Sequence, residues 1–171
     1  MRKLMLFLLA FLWAGFLLAQ NSPVDRLFDK YSGKEGFTSV YISKYMFNLF
    51  SEINSGDDEF GQVVKGLNGI KILTTDSPIQ GVNFHKEIMK ELPAKDYKEL
   101  MVIKEKDQDI KFLVKEVGGK ITELLMIIGG VDNALICIQG DNINLKNISN
   151  LSKSMNIEGL ENLEKIEEKG K

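Results

Sequence analysis

The period of the hydrophobic positions changes along this chain, and each change marks an element. Leu4 to Ala19 is uncharged and almost wholly apolar, behind the basic pair Arg2-Lys3. From Val24 the apolar residues fall at helical spacing, Val24, Leu27, Phe28 and Tyr31. Ser22 is placed to cap that helix, Pro23 suits its first position, Asp25 favours its positive end, and Gly33 closes it. Phe37 to Ile42 is rich in β-branched and aromatic residues and reads as a strand. Tyr45, Met46, Leu49, Phe50 and Ile53 mark a second amphipathic helix, stopped by Asn54-Ser55-Gly56. A strand centred on Gly69 to Thr74 follows, broken at Asp76-Ser77-Pro78. Phe84, Ile88 and Leu92 then form the stripe of a third helix that ends before Pro93.

After Pro93 the pattern becomes strand-like for more than forty residues. Leu100 to Lys104, Ile110 to Val117, Ile121 to Ile128 and Ala134 to Gln139 are four successive strand candidates. Their connectors are short: Asp107-Gln108-Asp109, Gly118-Gly119, and Gly129-Gly130 with Asp132-Asn133. Short links of this kind join antiparallel neighbours, so the segment predicts a four-stranded β-meander. Ile110, Phe112 and Val114 alternate with Lys111, Leu113 and Lys115, which predicts one core face and one largely wet face. Leu124 to Ile128 is apolar at every position and belongs in a central strand covered on both sides. Leu145, Ile148, Leu151 and Met155 predict a fourth helix, and an apolar stripe continues through Ile157, Leu160, Leu163 and Ile166. The fold class expected is α+β: an antiparallel meander extended by one or two earlier strands, with helices packed on the sheet.

The order of the first segment (charge, apolar core, Ala19-Gln20, then polar Asn21-Ser22-Pro23) is that of a cleaved secretory signal peptide. Its apolar run is shorter than a membrane span and lacks a basic anchor behind it. Residues 1–20 are therefore read as the signal, with no transmembrane segment after cleavage. Residues 21–171 form a single domain with a frayed, charged C-terminal tail, bound for the periplasm or cell envelope or for secretion. Cys137 is the only cysteine, so no internal disulfide forms. It sits in the apolar run Ala134 to Ile138, where a thiol packs as a small hydrophobe. No cysteine follows the signal core, which argues against lipid anchoring there. The formal charge is −2, and loss of Arg2 and Lys3 makes the exported chain more acidic still. With Lys and Glu interleaved and no basic cluster, nucleic acid is not a partner.

Candidate chemistry is sparse. His85 is the only histidine, beside Phe84 and Lys86, with no nucleophile-elbow sequence in the chain. One histidine and one cysteine do not make a structural zinc site. Asp57-Asp58-Glu59 lacks the alternating ligands of a calcium loop. No metal or cofactor is expected. The glycine pairs 118–119 and 129–130 lie between strands and not before a helix, so they read as hairpin turns and not as phosphate cradles. The aromatic set Phe37, Tyr41, Tyr45, Phe47 and Phe50 falls at core spacing, with a ligand groove as the alternative. Glu123 is the single weak candidate for a catalytic residue, because it interrupts an apolar strand. Facing inward it would be a site acid; at a strand's wet end it would pair with a neighbouring lysine.

Several segments together resemble a known family. They are Tyr97-Lys98-Glu99-Leu100-Met101, Gly119 through Gly130, Ile138-Gln139-Gly140-Asp141, and Asn144-Leu145-Lys146-Asn147-Ile148 with Leu151. The set resembles the domain-of-unknown-function 4252 family, small exported proteins mainly of Bacteroidota, over about Val24 to Leu163. The resemblance implies an envelope protein of unassigned activity, linked in some relatives to envelope signalling or stress operons, and it carries no catalytic residues. The function expected is a non-enzymatic module binding an envelope protein or lipid-like ligand. The alternatives are a carboxylate-based hydrolase and a structural homo-oligomer, and the oligomeric state is not legible. Mass spectrometry of the exported protein is expected to find a new N-terminus next to Ala19 or Gln20; an exported chain still beginning at Met1 would contradict this.

Overall fold

A computed structural model describes residues 22–53, 64 and 66–148. The segment 1–20 read as a signal, the acidic residues 57–59, and the apolar stripe and charged tail beyond residue 148 lie outside them. Helix α1 spans Pro23–Tyr31 and opens with the reciprocal cap its sequence implies: Ser22 Oγ accepts from the Asp25 amide at 3.1 Å, and Asp25 Oδ2 accepts from the Ser22 amide at 3.3 Å. Strand β1 (Phe37–Ser43) runs directly into α2 (Lys44–Ile53), and β2 spans Leu67–Thr75. Helix α3 (Phe84–Glu91) is capped by Asn83, whose Oδ1 accepts from the Lys86 amide. After a short 3₁₀ turn at Ala94–Asp96 come β3 (Tyr97–Lys104), β4 (Gln108–Val117), β5 (Lys120–Gly130) and β6 (Ala134–Gly140). Residues 145–148 are helical again.

All six strands form one antiparallel sheet in the order β1-β2-β6-β5-β4-β3. The four-stranded meander is present, and both earlier strands extend it. The connection from β2 through α3 carries the chain across one face to the far edge. The meander then returns strand by strand until β6 closes against β2. The fold is α+β, as the period changes imply.

Both faces of the sheet are core. On one, Ile70, Phe112, Val114, Leu124, Met126, Ile136 and Ile138 pack under Phe47 of α2, Val64, Ile143 and Ile148. On the other, Leu73, Leu113, Leu125, Ile127, Leu135 and Cys137 pack under Val24, Leu27 and Tyr31 of α1 and Phe84 and Ile88 of α3. The face of β4 carrying Lys111, Leu113 and Lys115 is therefore not wet. Leu113 is buried because α3 crosses there, and the alternation of a single strand does not report a helix arriving from elsewhere in the chain.

The glycine pairs play different roles. Gly118 and Gly119 have φ values of 60° and 78°, so both occupy the left-handed region that a tight two-residue hairpin needs. Gly129 and Gly130 instead lie inside β5, and the turn falls at residues 131–133. At Gly129 a Cβ would sit 2.6 Å from Asn83 Oδ1 and 2.7 Å from the His85 amide nitrogen, so its missing side chain lets the start of α3 rest on the strand. Asn133, buried at the same corner, fixes that contact. Its Oδ1 accepts from the Phe84 amide at 2.8 Å, while its backbone nitrogen donates to Thr75 Oγ1 at 3.3 Å. Gly129→Ala is expected to destabilise the domain by about 2 kcal/mol in urea unfolding, because α3 must lift off the sheet. Gly119→Ala, with open space around it, should cost about 1 kcal/mol from backbone strain alone. Equal costs would contradict the packing role of Gly129.

Candidate functional site

Strand register assembles the polar groups of the sheet into one place. On the face covered by α1 and α3, a single row crosses all six strands: Tyr97 opposite Lys115, Lys115 opposite Glu123, Glu123 opposite Gln139, Gln139 opposite Gly69, and Gly69 opposite Ser43. The next row inward holds Leu125, Cys137, Lys71 and Tyr41. The apolar core of this face thus ends at a polar row.

Glu123 is the centre of that row and is buried, 8% exposed. Its Oε1 accepts from the Tyr97 hydroxyl at 2.8 Å and its Oε2 from the Gln139 amide at 3.4 Å. The lysine partnership expected at a wet strand end is replaced by these two neutral donors, and Glu123 faces inward. Burial, with the Glu123 carboxylate beside it, pushes the Tyr97 phenol far above its ordinary range and keeps it protonated. Cys137 is buried in the adjacent row. Burial first, and then the Glu123 carboxylate, push its thiol up, against a smaller opposing pull from Lys71. A thiol held protonated in an apolar site is inert, which matches its reading as a core residue.

Lys71 and Asp25 form the second polar element here, an ion pair between β2 and the first turn of α1. Burial alone would raise Asp25, but hydrogen bonds from Lys71 and Ser22 outweigh it and hold the carboxyl below its usual range. Burial likewise works against the Lys71 ammonium, and Asp25 overcomes it, so the cation is held above its usual range. The ammonium lies 5.8 Å from the Phe28 ring centre and 5.7 Å from that of Tyr41.

The other candidates are dispersed. His85 sits in the first turn of α3 against Gly129. Burial lowers its pKa, opposed by Asp109 and reinforced by Lys111, Lys104 and Lys86, so it is neutral at pH 7. The aromatic set divides: Phe47 is core, Phe37 stacks on Tyr31 at 4.6 Å, and Tyr41 and Tyr45 are exposed. The side chain of Phe50 lies outside the described residues. Between α1 and α3 runs a cleft of about 80 Å³ lined by Pro23, Arg26, Leu27, Lys30, Glu87 and Glu91. Ligand pockets usually exceed ~300 Å³. Its acids are already paired, Glu91 with Arg26 and Glu87 with Lys30, each at 2.7 Å. Among the described residues no group of three or more His, Cys, Asp or Glu is placed to hold a metal ion. No described helix is long and apolar enough to cross a membrane.

The arrangement around Glu123 is therefore an acid enclosed by donors. Single-strand reasoning found Glu123 but missed Tyr97 and Gln139. They meet it only through the β3–β4–β5–β6 register, and no spacing in the sequence reports that. Tyr97→Phe leaves Oε1 of a buried carboxylate without its donor and is expected to cost about 1–3 kcal/mol. The same substitution in a Glu123→Gln background should cost less, since a neutral amide needs that donor less. Equal losses in the two backgrounds, measured by urea unfolding, would show that the Tyr97 bond does not matter.

The polar row and the Asn133 corner both lie within residues 31–148, inside the stretch that matches a family model. No curated protein and no solved structure matches the chain. Residues 31–151, spanning every strand and the whole Glu123 cluster, match the family described as "Domain of unknown function (DUF4252)", and the chain belongs to that family.

Proposed function

We propose that this protein is an exported, non-enzymatic domain that works in the cell envelope by binding a protein partner. One observation carries this reading: a run of large apolar side chains is left in solvent along β1 and the first turn of α2. Val40 is 40% exposed, Tyr41 59%, Tyr45 71% and Met46 45%. Val40 and Tyr41 alternate across the two faces of the edge strand, and Tyr45 and Met46 follow on the first turn of α2, so large apolar side chains border this edge on both sides. Tyrosine and methionine are the types enriched where proteins meet, because they offer area with few rotatable bonds or with soft, adaptable packing. The signal-peptide pattern supports placing that surface outside the cytoplasm.

The competing hydrolase reading rests on Glu123. Both of its oxygens already accept hydrogen bonds from neighbouring side chains, and the carboxylate is turned into the sheet. A general acid or base must reach a substrate proton, and this one is committed to holding β3, β5 and β6 together.

A photo-activatable cross-linker at Tyr45, used in intact cells, is expected to capture one envelope protein reproducibly and in near-stoichiometric yield. The same label at Asp29, exposed on α1, serves as comparison. Capture at Tyr45 no greater than at Asp29 would overturn the binding reading.

A further inference from the structure

The two edges of the sheet are built differently. The outer edge strand β3 carries Lys98, Glu99 and Lys104, has a register shift between Glu99 and Met101, and is laced to β4 by the pairs Lys98–Glu116 and Lys111–Glu99. Charge and irregularity of this kind stop an edge from pairing with another chain. Strand β1 has neither. Phe37-Thr38-Ser39-Val40-Tyr41-Ile42-Ser43 contains no charge and no proline, pairs with β2 through seven residues without a register shift, and among the described residues has no strand on its outer side.

We infer that β1 pairs antiparallel with β1 of a second copy of this chain, joining the two sheets into one of twelve strands about a two-fold axis at Val40. This rests on the reading of the β1–α2 surface as a binding surface and names what occupies its strand edge. The occupant follows from the strand's own composition. With Val40 opposite Val40, Ser39 faces Tyr41, Thr38 faces Ile42 and Phe37 faces Ser43, so every pair is apolar or hydroxyl and no charge meets a like charge. The same register brings Glu35, just before the strand, to the end of the seam where Lys44 of the other copy follows it, with opposite signs; within its own chain that Lys44 lies 3.9 Å from Asp141, both side chains exposed. Of the other charges beside the strand, Lys34 is turned to the Tyr31 ring 5.6 Å away and Asp76 accepts from the Thr38 hydroxyl at 2.7 Å within the same copy. A charged partner strand would find no complement on β1, whereas a second β1 brings no charge to any of the seven positions. Parity is preserved across the seam, so Tyr41 stays on the α1 side in both copies, and the exposed Tyr45 and Met46 of each flank the joint and remain open to a further partner.

Sedimentation velocity of the exported chain at high micromolar concentration is expected to show a dimer, and Val40→Lys, which sets two ammonium groups face to face at the axis, a monomer. In a parallel experiment Val40→Cys should be joined to itself in high yield by a short bismaleimide. Val117→Cys, more exposed than Val40 (58% against 40%) but on β4 toward the other edge of the sheet, should not. Cys137 is buried and does not react. A wild-type chain that stays monomeric, or a Val40→Cys chain that joins to itself no better than Val117→Cys, overturns the inference. If Tyr45 still captures another envelope protein, the binding reading survives that failure. A dimer without such capture leaves the pairing standing and removes the envelope partner.

Discussion

The structure depends on the burial of two adjacent strands from both sides. Leu124, Leu125, Met126 and Ile127 follow one another in β5 with no more than 1% of any side chain exposed, and Leu135 to Ile138 repeat the pattern in β6. A strand with no polar face must lie inside the sheet and under cover on each surface. Hence β4 and β2 flank this pair, α1 and α3 close one side, and α2 with Val64, Ile143 and Ile148 closes the other. Each large side chain fully removed from water contributes about 1.5–3 kcal/mol, whereas the exposed pairs Arg26–Glu91 and Lys30–Glu87 contribute at most about 1 kcal/mol each. The sheet sets the positions of the helices, and the ion pairs between α1 and α3 only trim them.

The polar row at the end of one core face follows from the same constraint. Where the helices stop covering the sheet, inward-facing positions must be polar, but those nearest the core are still out of water. Glu123 meets both demands by taking a hydroxyl and an amide from neighbouring strands, and Lys71 by pairing with Asp25 of the helix above it. An unpaired carboxylate at 8% exposure would be costly, and with its donors it ties three strands together. This accounts for an acid in an apolar strand without any reaction.

What the sequence disclosed was local. The Ser22-Pro23-Asp25 start, the Gly118-Gly119 hairpin and the fully apolar Leu124–Ile128 stretch each carry their signal within a few residues, and the structure agrees with them. Gly129 and Gly130 were misleading because a glycine in a turn and a glycine that admits another segment look alike in sequence; only Asn83 and His85 against Gly129, and the Asp107–Gln108 backbone against Gly130, tell them apart. The wet face expected for β4 failed for the same reason, since α3 reaches it from another part of the chain. The position of β6 between β2 and β5, and therefore the meeting of Glu123 with Tyr97 and Gln139, depends on a crossover that leaves no spacing behind. The exposed tyrosines had the same helical and strand periods as core aromatics, and β1 was not recognisable as an edge until its neighbours were placed.

Burial is thus concentrated at the centre of the sheet and falls away toward β1, where the uncharged edge meets solvent. Amide hydrogen exchange of the dilute protein, followed by mass spectrometry, tests that gradient most directly, because the slowest amides report the last structure to open. Segments covering residues 123–128 and 134–139 are predicted to exchange last and together, after residues 37–43 have exchanged. Exchange of the 123–128 segment ahead of the β1 segment would contradict the account, since it would place the stable centre of the fold away from the doubly buried strands.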